Sequence, residues 1–535
     1  MTCQPGDLPA RLFVPANIGR GVPMPQRCPL HGMLGPSRDA KPVSVLNHAS
    51  PSTIVSNAAA TPRPSACPGL LRIVAARDGG LCRIKLPGGE LSAAQARAIA
   101  AACARHAAGA IELTNRANLQ VRGVKPGEEA ALIAALVAAG LGPMPSSAAA
   151  KASDTSAAIA ADDVRNVMIS PAAGRDPSAL FDTRPLCADL LSMLQSETRF
   201  AALSPKFALL LDGGERLAKV DHPHDVWLAA SQEPDGVRFI FGLAGCPPAS
   251  ASAGSPTQYD DTGSPDPAAQ PGAHSTAALA ALLPSQVPAL VRALLFTFLE
   301  LAPADATRMR HLLAGHCADA LLHHAQRYVH FPLTRDASLA HWRRAAPADA
   351  SLRLGVHPQR GPGASHVGGQ PTLGRLDAGT LRALAALSQQ HGNGTLRFTP
   401  WQSVLLPDIA THAVPAVLSG LTTLGLATDP AQAITRLIAC AGSSGCAKSL
   451  ADTKADALRL AARLPDGVDV HLSGCSRSCA AAHCAPYTLL AAAPGLYDLY
   501  RRDGRPGFGQ CVARQLTIDQ AADMFERLAR SNTDA

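Results

Sequence analysis

Apolar and polar residues are grouped along the chain in blocks that predict short strands and amphipathic helices separated by glycine-rich turns. Residues 63–124 predict, in order, a strand, a turn, a strand, a helix and a strand, with turns at 79–80 and 88–89. Ser92 stands where a helix cap is needed, and we expect the helix that it opens to end near His106. This pattern is typical of a small α+β unit.

The same order of elements returns much later in the chain. Residues 351–406 predict a strand, a helix from Leu376 to Gln390 that opens at Asp377, and then a strand pair. Three further pairs of segments match: Leu113-Thr114 with Phe398-Thr399, residues 163–170 with 433–440, and residues 207–214 with 468–475. We therefore interpret the chain as two copies of one half-domain, each followed by a larger α+β unit.

This interpretation gives five segments. They are a poorly ordered extension at 1–62, a first half-domain at 63–150, a first lobe at 151–345, a second half-domain at 346–428 and a second lobe at 429–535. The first lobe contains a low-complexity insertion at 246–276, which we expect to be a disordered surface loop. A shorter loop, rich in Gly and Pro, is predicted at 359–371.

Composition narrows the class of protein. At 535 residues the chain is too long for one core. Its net charge is +7, yet no dense run of Lys or Arg suggests nucleic-acid binding. The apolar run at 277–301 is broken by Pro and Arg, so we expect no membrane span, and the first residues lack the order of a secretory signal. We expect a cytoplasmic protein, whose 14 cysteines suit metal or core roles better than disulfides.

Four cysteines near the end of the chain are the main candidates for chemistry. They form two pairs, Cys440 with Cys446 and Cys475 with Cys479. Each pair follows a short apolar segment, at 435–439 and 468–472, so each looks like a strand that delivers a Gly/Ser-rich loop. Four thiolates on two such loops can enclose an iron–sulfur cube. Two disulfides, a zinc site or four unrelated core cysteines remain alternatives.

The spacing of these cysteines, C-x5-C followed by an SGC-x3-C loop, resembles the cluster motif of the sulfite and nitrite reductase hemoproteins. The resemblance implies two joined ferredoxin-like half-domains and two catalytic lobes that clasp a tetrapyrrole. It also implies a 4Fe–4S cluster held by all four cysteines, the last of which bridges to the iron of a siroheme. The first copy has Ser170 and residues 212–214 (Asp-Gly-Gly) at the matching loops, so we expect one cluster per chain.

A tetrapyrrole of this type carries several carboxylates, and its site needs cations, among which Arg is favoured by its planar fork. The segment TNRANLQ resembles the one whose Arg and Gln hold these carboxylates. The cofactor-binding candidates are Arg83, Arg116, Gln120 and Arg122 in the first half-domain and Arg397 and Gln402 in the second. Lys85, Arg165 and Lys206 match the cations that grip sulfite or nitrite, and they are the catalytic candidates. Taken singly, each is more often a solvated surface residue.

One residue position distinguishes this chain from the sulfite and nitrite reductases. The reductases carry a second lysine two positions after the match to Lys206, where this chain has Ala208. A missing cation weakens stabilisation of a bound anion and of the charge built up during its reduction. The Arg63-x3-Cys67-Pro segment and the PGG strand instead resemble the precorrin-3B synthases, a family of the same superfamily in the aerobic cobalamin pathway.

That resemblance implies an oxidoreductase, a monooxygenase that hydroxylates precorrin-3A with dioxygen and closes a γ-lactone to give precorrin-3B. It implies a mononuclear non-heme iron besides the cluster, and none of His357, His391, His471 and His483 shows ligand spacing. No G-x-G-x-x-G motif follows a strand, so we expect an external reductant, such as NADH acting through an electron-donor protein. A siroheme-dependent sulfite or nitrite reductase and a non-catalytic cluster or tetrapyrrole carrier remain the alternatives.

Overall fold

The structure is a computed structural model that describes residues 53–54, 67–144, 155–249, 277–481, 485–503 and 507–533. Nearly all of the predicted extension at 1–62, and residues 250–276 of the predicted insertion, lie outside these ranges. All the elements below belong to one unit, residues 51–535.

The strands and helices alternate irregularly along the chain, as expected for the α+β class. The strands are β1 (Thr53–Ile54), β2 (Ile73–Ala76), β3 (Gly79–Ile84), β4 (Glu90–Ser92), β5 (Ala110–Leu113), β6 (Leu119–Val124), β7 (Val167–Met168), β8 (Leu209–Asp212), β9 (His224–Glu233), β10 (Gly236–Gly245), β11 (Ala280–Leu282), β12 (Gly355–Pro358), β13 (Ala364–Gly369), β14 (Arg375–Asp377), β15 (Thr395–Phe398), β16 (Val404–Ala410), β17 (Leu437–Ala439), β18 (Val470–Ser473), β19 (Tyr487–Ala493), β20 (Leu496–Arg501) and β21 (Gln510–Leu516). The helices are α1 (Ala93–His106), α2 (Glu129–Ala138), α3 (Thr155–Asp163), α4 (Thr183–Ser196), α5 (Val287–Leu301), α6 (Met309–Leu313), α7 (Ala318–Ala325), α8 (Ala378–His391), α9 (Val414–Thr423), α10 (Gly442–Gly445), α11 (Thr453–Ala461) and α12 (Ile518–Thr533).

The two half-domains are interlocked by an exchange of short strands. The first sheet has the order β1-β2-β3-β6-β5-β14 and the second β12-β13-β16-β15-β4, all antiparallel. Strand β14 of the second copy thus completes the first sheet, and β4 of the first copy completes the second. Helices α1 and α8 bury their apolar faces in one core, which includes Ile99, Leu384 and Phe398.

The duplication extends to single hydrogen bonds. Ala117 and Gln402 hold the same place in the two copies, and both adopt left-handed backbone with φ of 57° and 61°. Each N–H donates to the carbonyl of the threonine three positions earlier, Thr114 or Thr399, at 3.1 Å. Such conformations are uncommon outside glycine, so their recurrence at matching positions supports a common origin of the two segments.

The two lobes repeat one topology as well. Their sheets have the orders β7-β8-β9-β10-β11 and β17-β18-β19-β20-β21, in which the first three strands are parallel and the rest antiparallel. The first lobe packs α4 and α5 on its sheet, and the second packs α11 and α12. The predicted α+β class and duplicated architecture are confirmed.

Of the predictions for single elements, two helix caps are confirmed and one loop is wrong. Ser92 caps α1 in a capping box with Gln95, and Asp377 caps α8, as predicted. The loop predicted at 359–371 is wrong, since residues 364–369 form the strand β13, which pairs with β12 on one side and β16 on the other. Its glycines permit a close approach: a Cβ on Gly368 would lie 2.1 Å from the carbonyl oxygen of Arg353.

No helix in the described part of the chain is both long and apolar enough to cross a bilayer.

Candidate functional site

The two cysteine loops leave neighbouring parallel strands at the same edge of the second lobe's sheet. Leu437 of β17 pairs with Val470 of β18, and Ala439 pairs with Leu472. Cys440 follows β17 directly, and its N–H donates to the carbonyl of Leu472 at 3.2 Å. Because parallel strands end together, both loops meet at this edge, as the sequence pattern predicted.

The four thiols share one region. The N–H of Gly474 donates to Cys440 Sγ at 3.3 Å, which joins the second loop to the first. The protein around Cys479 removes part of its solvation although the residue is exposed at the surface. This raises the pKa of its thiol, and the nearby Cys475, Cys440 and Cys446 raise it further.

Glycines allow the loops to pack closely. A Cβ on Gly474 would lie 1.7 Å from Ser449 Oγ, and one on Gly445 would lie 2.7 Å from Arg122 Nη2. A larger residue at either position would have to displace the neighbouring side chain. The loops therefore form a cradle of small residues whose N–H groups can approach sulfur.

The four cysteines offer thiolates alone, which are the ligands of an iron–sulfur cluster. Within the described ranges, no three His, Cys, Asp or Glu side chains are arranged to hold a single metal ion, and the described cysteines are free thiols. A 4Fe–4S cube places each thiolate on a different iron, so its four sulfurs lie farther apart than four sulfurs on one ion. The same finding leaves the expected mononuclear iron without a ligand set among these residues.

A row of polar residues crosses the first sheet on one face. By strand register Arg83 lies opposite Gln120, Gln120 opposite Glu112, and Glu112 opposite Arg375. With the Gln120 amide turned so that its oxygen faces Arg83, the oxygen accepts hydrogen bonds from Nη2 and Nε at 2.7 and 3.1 Å. Burial lowers the pKa of Arg83, whereas nearby Cys67 and Cys479 raise it. The row thus faces the second cysteine loop.

Arg122 links the first half-domain to the first cysteine loop. Its guanidinium binds Asp78 through two hydrogen bonds at 2.8 and 3.0 Å, and its Nη2 also donates to the carbonyl of Gly445 at 2.6 Å. Its side chain is 5% exposed. Arg122 therefore fixes the first cysteine loop to the first half-domain, and its hydrogen bonds are directed at protein groups.

A recess lies between the first half-domain and the first lobe. Its empty space is about 410 Å³, counted to its open mouth, and its lining includes Arg116, Arg165 and Ala208. Among the described residues we find no hydrogen-bond partner for the Arg116 guanidinium. Burial lowers the pKa of Arg116 to about 10, and the nearby cations Arg308 and Arg83 lower it further. A half-buried arginine without a partner, near two others, can receive an anion.

Sequence reasoning missed Arg308. Both oxygens of Asp225 lie 3.0 Å from Arg308 Nε, and the Asp225 carboxylate is 1% exposed. Asp225 also accepts from the N–H groups of Ala208 and Met309. No local pattern marks Arg308, because the partner that orients it is 83 residues away in sequence.

Lys85 is tied to protein carbonyls. Its Nζ donates to the carbonyls of Asp162 and Asp163 at 2.7 Å each, at the C-terminal end of α3. That helix end favours a cation. Burial nevertheless lowers the pKa of Lys85 to about 8, because the charged form loses solvation.

The three predicted catalytic cations do not line one surface. Arg165 lines the recess, and its Nη1 contacts the carbonyl of Leu141 at 3.2 Å and Asp162 Oδ1 at 3.3 Å. Lys206 is exposed and is not part of the recess lining. With Lys85 directed at α3, only Arg165 of the three is placed to meet a ligand in the recess.

Arg397 and Gln402 are not the counterparts of Arg116 and Gln120. Strand alignment matches Arg397 with Glu112 and Gln402 with Ala117. Arg397 is 1% exposed, forms an ion pair with Glu90, and has a pKa that burial lowers to about 10. Its Nη1 donates to the carbonyl of Gly88, at the rim of the recess, at 3.3 Å. Gln402 packs against Gly374, on which a Cβ would lie 2.6 Å from its Oε1.

An interlocked pair of half-domains with two α+β lobes, one of which carries four cysteines on two adjacent loops, is an architecture found in iron–sulfur redox proteins. Family models agree. The "Nitrite/Sulfite reductase ferredoxin-like half domain" matches residues 75–139 and 357–424, and the "Nitrite and sulphite reductase 4Fe-4S domain" matches residues 160–328. Together they cover more than half of the chain. The chain belongs to the nitrite and sulfite reductase family.

Relatives in this family carry different names. The chain is 27% identical to a "Ferredoxin--nitrite reductase, chloroplastic" of Oryza sativa over 75% of its own length, and spans 64% of that protein, just under two thirds. It is also 27% identical to a "Precorrin-3B synthase" of Sinorhizobium sp over 91% of this chain and 93% of that one. The solved structure of Mycobacterium tuberculosis NirA shares the fold, with a TM-score of 0.64 at 20% identity over 84% of this chain and 80% of NirA.

The 4Fe-4S domain match falls on the first lobe, whereas the four clustered cysteines lie in the second. In the first lobe Ser170 stands at the position of Cys440, and its hydroxyl donates to the carbonyl of Leu217 at 2.6 Å. Gly214 stands at the position of Cys475. The match therefore describes the fold of a lobe, and the candidate cluster ligands belong to the second copy.

Proposed function

We propose that this protein is an oxygen-dependent monooxygenase that converts precorrin-3A to precorrin-3B in aerobic cobalamin biosynthesis. The observation that carries the proposal is the similarity to the Sinorhizobium precorrin-3B synthase, which covers nine tenths of both chains. The alignments with the chloroplast nitrite reductases leave about a third of those proteins unmatched.

The surroundings of the recess support this choice. Ala208, at the place of the reductases' second lysine, is buried and lines the recess. Lys85 is directed at the carbonyls of α3. Lys206 is exposed and does not line the recess, so a clamp for sulfite or nitrite would lack three of its cations there. The cations that do face the recess, Arg116 and Arg165, suit the carboxylates around a large macrocycle.

In this proposal Cys440, Cys446, Cys475 and Cys479 hold a 4Fe–4S cluster, which supplies electrons when bound. Arg116 and Arg165 in the recess, with Arg308 and Arg83 near Arg116, bind substrate carboxylates and so orient the ring edge. The buried wall of the recess keeps bulk water from the reacting carbon. The described residues offer no ligand set for the mononuclear iron.

The overall reaction balances with an external two-electron reductant. One atom of dioxygen enters the ring as a hydroxyl group, and an acetate side chain closes the γ-lactone. The other oxygen atom takes two electrons and two protons and leaves as water. The electron donor, whether NADH through a partner or a carrier protein, is a separate partner.

The test is a turnover assay of the iron-reconstituted protein with precorrin-3A, a chemical reductant and ¹⁸O₂. We expect a product that has gained one labelled oxygen atom, and no reduction of sulfite or nitrite. The Ala208→Lys variant restores the missing cation in the same recess and serves as a matched control. We expect this variant to bind anions more tightly than the native protein.

The similarity to ferredoxin–nitrite reductases supports a second candidate, a siroheme-dependent sulfite or nitrite reductase. Siroheme in the purified protein and steady turnover of either anion would establish it and remove the synthase proposal. A fully loaded cluster without any product from either assay would instead favour a non-catalytic carrier.

A further inference from the structure

One carboxylate contacts cations from three separate parts of the fold. Glu112 on β5 lies 2.7 Å from Arg375 Nη2 of β14, 3.5 Å from Arg122 Nη1 of β6 and 3.7 Å from Lys454 Nζ of α11. Its side chain is 10% exposed. Glu112 therefore joins both half-domains to the cysteine-bearing lobe.

Two of these cations lie at the two ends of the first cysteine loop. At one end, Arg122 donates to the carbonyl of Gly445, the residue before Cys446. At the other end, Lys454 follows Thr453, whose Oγ1 lies 3.4 Å from Cys440 Sγ. Lys454 also donates to the carbonyl of Leu373 at 2.8 Å, so its ammonium group is fixed between the half-domains and the loop.

The local charge balance depends on Glu112. Arg122, Arg375 and Lys454 contribute three positive charges, whereas Glu112 and Asp78 contribute two negative ones. The side chains of Arg122 and Lys454 are 5% and 12% exposed, so water screens them little. An iron–sulfur cluster becomes more negative when it is reduced, and nearby cations stabilise that state.

We propose that Glu112 is a positioning residue that fixes Arg122 and Lys454 against the first cysteine loop and sets the reduction potential of the cluster there. This inference rests on the proposed function only for the presence of a 4Fe–4S cluster. It holds whether the reaction is hydroxylation or anion reduction, since it concerns electron transfer alone.

The test measures the midpoint potential of the cluster by redox titration followed by EPR. Glu112→Gln keeps the size and removes the negative charge, so we expect a shift to a more positive potential. Lys454→Met removes a cation, so we expect a shift in the opposite direction. The double variant should return towards the native value. Arg238→Gln, which removes an exposed cation of the first lobe, should leave the potential unchanged.

Each outcome has a distinct meaning. Iron and sulfide are first counted in the native protein. If neither is present, the protein holds no cluster and the inference fails. With a full cluster, an unchanged potential in Glu112→Gln and Lys454→Met would overturn the role of Glu112. Should Glu112→Gln fail to fold or to hold iron, Lys454→Met decides: a more negative potential supports the inference, and an unchanged one rejects it.

Discussion

Asp225 and Arg308 form a buried ion pair at the edge of the recess, with both carboxylate oxygens 3.0 Å from Arg308 Nε. The ion pair holds the Arg308 guanidinium near that of Arg116, although the two positive charges repel each other. Asp225 is thus the counter-charge that lets two arginines remain together in a poorly solvated place. This arrangement makes the recess an anion receptor before any ligand arrives.

Arg308→Gln should weaken binding of an anionic tetrapyrrole about 10- to 150-fold, because a charge-assisted hydrogen bond contributes about 1.5–3 kcal/mol. The measurement is fluorescence or calorimetric titration with a carboxylated tetrapyrrole. Arg310→Gln, which changes an exposed arginine two residues away, is the matched control. Equal affinities of the two variants would show that Arg308 does not face the ligand.

Cys479→Ser should lower the iron and sulfide content and abolish turnover, because one corner of the cube loses its thiolate. Colorimetric iron and sulfide counts with the cluster's EPR spectrum provide the check. Cys511→Ser alters another free cysteine of the same lobe, on β21, and should retain the full cluster. An iron-replete, active Cys479→Ser protein would contradict the ligand assignment.

Gly474→Ala should push the two cysteine loops apart, since its Cβ would lie 1.7 Å from Ser449 Oγ. We expect a loss of about 1–3 kcal/mol in the free energy of unfolding, as for other overpacked sites, and a lower cluster content. Urea unfolding and iron counts measure the two effects. Adding Ser449→Gly should restore both, whereas Gly315→Ala, at an uncrowded position, should have little effect.

His366 should make the fold sensitive to acid. Burial lowers its pKa to about 4, so below pH 6.5 the unfolded chain takes up a proton that the folded chain does not. The free energy of unfolding should therefore fall as the pH falls from 6.5 to 4, by up to about 1.4 kcal/mol per pH unit for this group. Urea unfolding of native protein and His366→Gln across this range tests it.

The His366→Gln protein should show a shallower pH dependence than the native one, since glutamine can still bond the carbonyl of Leu352 without titrating. His412→Gln, an exposed change in the same half-domain, should leave the dependence as it is. Parallel curves for native and His366→Gln proteins would refute the assignment.

Local pattern was sufficient for elements whose cause is local. Ser92 and Asp377 open α1 and α8 because a side-chain oxygen accepts from the N–H three residues on, within one turn of chain. Strand β13 was misjudged because its glycines looked like loop residues. They serve contacts with Arg353, Leu426 and Leu421, which lie far away in sequence.

Residue types at fixed spacing determined the four thiols, the duplicated order and the membership of a redox family, because these follow from chain-local pattern and similarity. Only the tertiary structure decided which cations are available. In the fold, Lys85 binds the carbonyls at a helix end, Arg122 binds a cysteine loop, and Arg308 lies near Arg116. The reason is physical: a cation's availability depends on which carbonyl or carboxylate the fold brings within about 3 Å, and spacing along the chain does not encode that distance.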